Sequence, residues 1–285
     1  MTLATPCVEC IVNQSLRVAD AIGADDALRS RLYAYVRDAS QHFDFHASPP
    51  EVAAEVYEAM ARIAHKEDLY DTVKKHSTQQ ARRSVPVLKK RLAASQDPLM
   101  TAVKIAVAGN VIDLAAAVRF DLDEELERIF HTPFAVDNVA LLHEKLATAS
   151  TLLYIADNAG EHIFDYLAIE TLQQRYPNLH VYYMVRGVPI INDVTLQEAK
   201  EAGFDALCSV VDSGVNTPGF VYERATKEAQ RLFDSADVVL AKGMGNYECL
   251  SPAPRHNLCY LLKVKCGVVA DSLKREIGDI ICSMC

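Results

Sequence analysis

The sequence predicts an α/β protein with a three-layer α/β/α core, in which a mainly parallel, doubly wound sheet is joined to a helical N-terminal subdomain. Two observations lead to this prediction. In residues 1–150 apolar side chains recur every three or four positions, which is the period of amphipathic helices. In residues 151–285 short apolar runs alternate with helix-length amphipathic stretches. We expect the two parts to form one compact unit.

Helix boundary signals divide the first half of the chain. Asp and Asn favour the position before a helix, Pro fits the first turn, and Gly often follows the last turn. The signals in chain order are Gly23 after the first helix, Asp25 or Asp26 before the second, Pro49 and Pro50 at the start of the third, and Asp97 with Pro98 at the start of the fifth.

Five apolar runs predict strands in the second half. They are LLYIA, HVYYMVR, ALCSVV, DVVLA and CGVVA. Because the intervals between them admit crossover helices, the strands are expected to be parallel and covered on both faces. Ligands of such sheets bind beyond the carboxyl ends of the strands. The residues that follow the runs are therefore the first candidates for function.

Charge and composition limit the function classes. The formal net charge of -9 argues against a nucleic-acid partner, which would require a local surplus of Lys and Arg. No apolar run reaches the roughly 20 residues of a membrane span, and the first residues lack a secretory signal. We therefore expect a cytoplasmic protein with no membrane partner, and its eight cysteines are expected to be reduced. No pattern indicates the oligomeric state.

Acidic and amide side chains follow two of the runs. Asp157 and Asn158 come directly after LLYIA, and Asp193 follows HVYYMVR after a short loop. A carboxylate at the end of an apolar strand is costly to bury unless it is paired or bound to a metal. Two carboxylates and one amide oxygen suit a hard cation such as Mg²⁺ or Mn²⁺. We therefore predict that these three residues hold a divalent cation.

Helix capping is an alternative role for part of this set. Asn158 and Glu161 have the spacing of a capping box, which explains Asn158 as well as metal binding does. Asp193 is less easily explained in this way, because Thr195 and Glu198 already have the spacing of a box for the next helix. Capping leaves the acid at position 157 without an explanation.

A glycine-rich turn follows DVVLA and predicts a phosphate-binding loop. Successive backbone N–H groups in such a turn can face an anion, and a lysine adds positive charge. KGMGN matches neither the Walker pattern nor the dinucleotide-binding pattern, so a structural turn is the alternative. The residues predicted to bind phosphate or substrate are Lys242, Gly243, Gly245, Asn246, Lys265 and Asn192.

One amide interrupts an apolar helix face in the first half. Asn110 shares a face with Val103, Ala106 and Leu114, where buried residues are expected. It is either a hydrogen-bonded core amide or a residue that projects into the substrate cleft, and the pattern favours neither interpretation.

Two cysteine pairs lie near the ends of the chain. Cys7-x-x-Cys10 and Cys282-x-x-Cys285 have the spacing of paired zinc ligands. If the ends of the chain meet, the four thiolates would form one structural Zn²⁺ site. Buried or redox-active thiols are the alternative.

Several motifs taken together resemble one known family. A P-x-C-x-x-C near the start is followed in order by AGNVID, ADNAGE, VRGVPIINDVT, DSG, KGMGNYE and LLKVKC. This order is similar to that of the damage-control phosphatases, long described as a domain of unknown function, and it covers nearly the whole chain. The resemblance implies an α/β/α core with a helical N-terminal part and a divalent cation, often Mn²⁺, Co²⁺ or Ni²⁺.

The resemblance also assigns roles to positions in this sequence. The final C-S-M-C segment matches no motif of the family. The matching positions are Asp157, Asn158 and Asp193 for the metal, Lys265 for phosphate, Lys242 with its following glycines for the substrate loop, and Asn110 for the G-N-x-x-D motif of the shorter, microbial branch.

The predicted function is hydrolysis of a small phosphate monoester, such as a sugar phosphate or a damaged phosphometabolite. The metal would polarise a phosphoryl oxygen, and Lys265 would offset charge on the transferred group. The catalytic candidates are Asp157, Glu161 and Asp193, and either of the last two could position an attacking water. Two rival functions are an S-adenosylmethionine-dependent carboxyl methyltransferase and a non-catalytic metal- or metabolite-binding protein.

Overall fold

A computed structural model describes residues 1–109, 122–253 and 255–285 of the chain. Within these ranges, no helix is long and apolar enough to cross a membrane. The helices before residue 150 are α1 (Thr5–Ala21), α2 (Asp26–Ala39), α3 (Pro49–Ala64), α4 (Asp71–Ala94), α5 (Pro98–Gly109), α6 (Leu122–His131) and α7 (Val139–Thr148). The later helices are α8 (Glu161–Arg175), α9 (Leu196–Glu201), α10 (Lys227–Ser235), α11 (Gly243–Leu250) and α12 (Gly267–Leu273).

The described strands form one sheet. They are β1 (Val136–Asp137), β2 (Thr151–Ile155), β3 (His180–Val185), β4 (Ser209–Asp212), β5 (Val238–Lys242), β6 (Leu258–Lys263) and β7 (Ile280–Met284). Their order across the sheet is β1-β7-β6-β5-β2-β3-β4, and each neighbouring pair is parallel except β6 with β7. The predicted mainly parallel α/β fold is confirmed by this topology.

The strand order creates a switch point at the centre of the sheet. From β2 the chain proceeds outward through β3 and β4, and it then returns to β5 on the opposite side of β2. The connections that leave β2 and β5 therefore diverge, which leaves a crevice at the carboxyl ends of these two strands. Asp157 lies just beyond the end of β2, and Gly243 directly follows β5.

Helices cover both faces of the sheet. Leu152 and Tyr154 of β2 belong to a core cluster with α4 to α8, whereas Leu153 and Ile155 belong to a cluster with α10 to α12. All four side chains are fully buried, as expected when successive residues of a strand point to opposite faces. The sheet is thus the middle layer of three.

The first three helices form a separate core cluster. Val18, Leu32 and Met60 lie at its centre, and Ile190 from the loop after β3 also belongs to it. Helix α3 packs against α11 as well. These contacts place α1 and α3 beside the carboxyl ends of the central strands, where they can form walls of the crevice.

Most of the predicted helix boundaries are confirmed. Gly23 follows α1 with a φ of 63°, which favours glycine. The Asp25 side chain accepts a hydrogen bond from the Leu28 N–H at 2.8 Å, and Asp97 accepts one from Met100 at 3.0 Å. Pro49 and Pro98 begin α3 and α5 as the sequence predicted.

One predicted strand is wrong. The run CGVVA lies mainly in α12, where Val269 and Ala270 pack into the core. The strands on this side of the sheet are β6 and β7, which the predicted set of five runs did not include. A short apolar run without alternation does not distinguish a buried strand from a buried helix, and tertiary packing decides between them.

Phe204 tests the packing between the sheet and its helical layer. It is fully buried, and its ring stacks on Tyr183 with the centroids 4.0 Å apart. Phe204→Ala should lower the free energy of unfolding by about 3–5 kcal/mol, because it leaves a cavity. Urea denaturation measures this change, with exposed Ile277→Ala as a control expected to stay within about 0.5 kcal/mol. A loss for Phe204→Ala no larger than that of the control would contradict the packing described.

Candidate active site

Two loops at the carboxyl end of the sheet are joined through their backbones. Asn158, after β2, forms an isolated antiparallel bridge with Asp193, after β3. The Val194 N–H donates to the carbonyl oxygen of Asp157 at 2.9 Å. The structure therefore brings together the three residues that the sequence predicted as cation ligands.

Asp157 lies at the centre of this group. Burial raises the pKa of its carboxyl well above the usual range, and the nearby carboxylates of Glu161 and Asp193 raise it further. Gly243, the first residue of α11, lies directly against this carboxyl. A Cβ atom at position 243 would be 1.9 Å from Oδ2 of Asp157, and the φ of Gly243 is +77°. Glycine is required here on both grounds.

The side chain of Asn158 is held in one orientation. Its Nδ2 donates to Oδ2 of Asp157 at 2.9 Å and to Oε1 of Glu161 at 2.8 Å. Its Oδ1 makes no hydrogen bond to the residues that the structure describes, and it is the atom that could bind a cation. The capping-box interpretation of Asn158 is wrong, because α8 has Gly160 as its N-cap and no capping side chain.

Asp193 is paired with a cation that the sequence analysis did not single out. Nε of Arg186 donates to Oδ2 of Asp193 at 2.7 Å, and both side chains are buried. Burial raises the pKa of Asp193 to about 6, although Arg186 acts in the opposite direction. The sequence feature that could have identified Arg186 is its position at the end of an apolar run. Thr195 and Glu198 form the predicted capping box, so Asp193 is not needed as a cap.

A second buried ion pair lies behind the candidate ligands. Nζ of Lys242 is 2.7 Å from Oδ1 of Asp165 and 3.3 Å from Oε2 of Glu161. The hydroxyls of Tyr154 and Tyr183 also donate to Asp165. Burial alone would lower the pKa of Lys242, but the two carboxylates raise it above its usual value. Lys242 is fully buried, so its predicted direct contact with phosphate finds no support in this geometry.

Asn246 is also fully buried and does not face the cavity. Its Nδ2 donates to the carbonyl oxygens of Ala156 at 3.0 Å and Lys242 at 2.6 Å. Its Oδ1 accepts from the Phe220 N–H at 2.8 Å and from Arg186 at 3.3 Å. These bonds fasten the ends of β2 and β5 to a neighbouring loop, which is a structural role rather than the predicted contact with substrate.

A cavity of about 450 Å³ lies in front of the candidate ligands. Lys265 lines it, and its Nζ has no ion pair with any residue that the structure describes. The backbone N–H of Lys265 donates to the sulfur of Met244 at 3.2 Å. Residues of α1 and α3 also line the cavity. The predicted site residues that line the cavity are Asp157, Asn158, Asn192, Asp193, Gly245 and Lys265.

The damage-control phosphatase ARMT1-like domain matches residues 3–281 of this chain. The chain belongs to the damage-control phosphatase family. A damage-control phosphatase of Pyrococcus horikoshii is 31% identical over 278 residues, which are 97% of this chain and 96% of the relative. A damage-control phosphatase of Archaeoglobus fulgidus is 27% identical over 287 residues, with 99% and 98% of the two chains covered. The names of these relatives support a phosphatase role in general.

A solved crystal structure has a fold similar to that of this chain. The crystal structure of a DUF89 family protein from Pyrococcus horikoshii is similar to this chain with a TM-score of 0.91 and 30% identity. The match covers 100% of this chain and 99% of the other. The similarity therefore includes the sheet, its helical layers and both loops of the candidate site.

The structure contradicts the predicted Zn²⁺ site of Cys7, Cys10, Cys282 and Cys285. Cys7 belongs to the core cluster of the first three helices, whereas Cys282 lies in β7 with its sulfur 3.8 Å from that of Cys259. Among the described residues, no three His, Cys, Asp or Glu side chains are placed to hold a metal. Pairing of β7 with β1 and β6 keeps Cys282 within the sheet.

Asn110, which matches a family motif, lies outside the described residues, and both interpretations of it remain predictions.

Substitution of Lys242 and substitution of Lys265 are expected to change the stability of the protein by different amounts. Lys242→Met should lower the free energy of unfolding by about 3–5 kcal/mol, because it removes the buried lysine that pairs with the carboxylate of Asp165. Lys265→Met is the matched control and should change this free energy by no more than about 0.5 kcal/mol. Urea denaturation at neutral pH measures both variants. Equal effects would contradict the different positions assigned to the two lysines.

Proposed function

We propose that this chain is a metal-dependent phosphatase that hydrolyses small phosphate monoesters, such as sugar phosphates or damaged phosphometabolites. The main support is the convergence of three oxygen donors and one lysine on the same cavity. The donors are on Asp157, Asn158 and Asp193, and the lysine is Lys265. This combination suits a cation and a phosphoryl group bound side by side.

The donor atoms fit a divalent cation. Nδ2 of Asn158 is held by Glu161 and Asp157, so its Oδ1 is left to bind the metal. Arg186 takes Oδ2 of Asp193, which leaves Oδ1 of the same carboxyl. Burial raises the pKa of both aspartates, and a bound cation would offset the repulsion between them. So small a donor set leaves coordination positions for water and substrate.

The metal in this proposal is Mg²⁺, Mn²⁺, Co²⁺ or Ni²⁺. Carboxylate and amide oxygens suit Mg²⁺ and Mn²⁺, and the affinity of a given site for divalent metals rises from Mn²⁺ through Co²⁺ to Ni²⁺. When bound, such an ion polarises a phosphoryl oxygen and makes a bound water more acidic. Lys265 would offset negative charge on the transferred group. The N-terminus of α11, which touches Asp157 through Gly243, adds partial positive charge at the same place.

Two acidic residues are assigned different tasks in this proposal. Glu161 is only 1% exposed and reaches the site through the amide of Asn158, so we treat it as a positioning residue. Asp193 lines the cavity and is the candidate that orients the attacking water.

The substrate is proposed to be a small phosphorylated metabolite. A cavity of about 450 Å³ is in the range of small-molecule sites, and α1 and α3 contribute to its walls. Asn192 and Gly245 line the cavity near the candidate ligands and are proposed to contact the substrate.

Asp157→Asn tests the function, because it removes a charge without changing the size of the side chain. Phosphate release should be measured over sugar phosphates and phosphorylated cofactors with each of the four metals. The wild-type chain should cleave at least one ester, and Asp157→Asn should lose about 100-fold or more of kcat/KM. The exposed Asp205→Asn should retain wild-type activity. Metal-dependent binding without turnover would favour a binding protein, and methyl transfer from S-adenosylmethionine would favour a methyltransferase.

Gly243→Ala tests the contact between α11 and the metal site. The added Cβ would overlap the carboxyl of Asp157, so the Kd for Mn²⁺, measured by titration calorimetry, should rise by at least about tenfold. Gly203→Ala is the matched control, because Gly203 has a φ of +87° but no atom within 4 Å of an added Cβ. Both variants are strained, but only the first should lose affinity. A similar Kd for the two variants would contradict this geometry.

A further inference from the structure

Glu248 is a partly buried acid on the wall of the same cavity, and it belongs neither to the candidate metal ligands nor to the ion pairs behind them. It lies on α11, one turn beyond Met244 and Gly245, which line the same wall. Residues spaced three and four apart share one face of a helix. The side chain of Glu248 therefore points into the cavity from the helix whose first residue touches Asp157.

The carboxyl of Glu248 has no hydrogen bond or ion pair with any residue that the structure describes. The amino group of Met1 donates to the main-chain carbonyl of Glu248 and not to its carboxyl. Burial raises the pKa of the Glu248 carboxyl to about 7. An acid of this kind is costly to bury in its ionised form without a partner, so it carries a proton more readily than an ordinary glutamate does.

The amino group of Met1 is the cation that acts on the Glu248 carboxyl, and it lowers the pKa of that carboxyl by less than burial raises it. Cys7 and Cys10, on the facing side of α1, are near enough to interact with it electrostatically. Burial raises the pKa of both thiols, so they are uncharged at neutral pH. Lys265, which also lines the cavity, interacts electrostatically with Asp157.

The position along α11 fits contact with the leaving group of a phosphate ester. Gly243 touches the carboxyl of Asp157, and Glu248 lies five residues further on, which is about 7–8 Å along the helix axis. A phosphoryl group bound at the candidate ligands would occupy the first part of this distance. The ester oxygen and its alcohol would then extend toward Glu248.

We propose that Glu248 is the general acid that protonates the leaving oxygen. This inference rests on the proposed phosphatase function. As water adds to phosphorus, the bond between phosphorus and the ester oxygen breaks, and that oxygen takes the proton of the Glu248 carboxyl. The alcohol leaves neutral, and the carboxylate regains a proton from solvent before the next turnover. Proton transfer of this kind contributes about 10²–10⁴-fold to rate.

Comparison of two leaving groups tests the proposal. A sugar alcohol is a poor leaving group that needs a proton, whereas p-nitrophenolate leaves readily without one. Glu248→Gln should reduce kcat by about 100-fold or more on the sugar phosphate that the wild-type chain cleaves fastest. On p-nitrophenyl phosphate the same variant should lose no more than about fivefold, because little protonation is needed. KM for the sugar phosphate should change by less than about threefold.

Two further variants keep the test informative. Glu228→Gln, an exposed residue of α10, makes the same chemical change away from the cavity and should leave both activities unaltered. Glu248→Asp retains an acid and should recover part of the sugar phosphatase activity that Glu248→Gln loses.

Three outcomes would overturn the assignment. They are equal losses on the two substrates, a change in KM alone, or an Asp variant as inactive as the Gln variant. A wild-type chain that releases phosphate from neither substrate would contradict the proposed function itself.

Discussion

The burial of acidic side chains at the centre of the sheet is the constraint on which the rest of this structure depends. Four acidic residues lie just after β2, in the first turns of α8 or in the loop after β3, and each is less than a tenth exposed. They are Asp157, Glu161, Asp165 and Asp193. Burial of several like charges is unfavourable unless cations or hydrogen bonds accompany them. Lys242 and Arg186 supply two buried positive charges, and they come from the ends of β5 and β3. The strand ends are thus held by electrostatics as well as by packing.

Asn246 links these charged groups into one unit. It bonds to Arg186, to the carbonyl of Lys242 and to the end of β2, so movement at one point would break bonds at the others. A site built on strand ends and fixed in this way is preorganised, because its supporting side chains cannot change rotamer independently. Other side chains line the cavity and are available to a ligand, among them Asn158, Asp193 and Lys265.

The sequence was sufficient for the fold class and for the position of the candidate ligands, because both depend on local pattern. Apolar runs locate most strands, and polar residues after the runs locate the crevice. The roles of Lys242 and Asn246 were not predictable, because a lysine after a strand looks the same whether it faces solvent or a buried acid. The pairing of Arg186 with Asp193 was not predictable either, because it depends on the path of the loop that connects the two residues. Whether CGVVA forms a strand or a helix could not be predicted, because it depends on which of two apolar segments pairs with β5.

The short strands at the margins of the sheet have a consequence for behaviour in concentrated solution. β1, with two residues, and β4, with four, form its two margins, whereas the strands between them have five or six. Unpaired backbone groups at a sheet margin are a template on which another chain can add a strand, and a short margin limits such growth. The longer apolar strands that build the crevice lie inside these margins, so both of their edges are paired within the sheet and do not offer such a template.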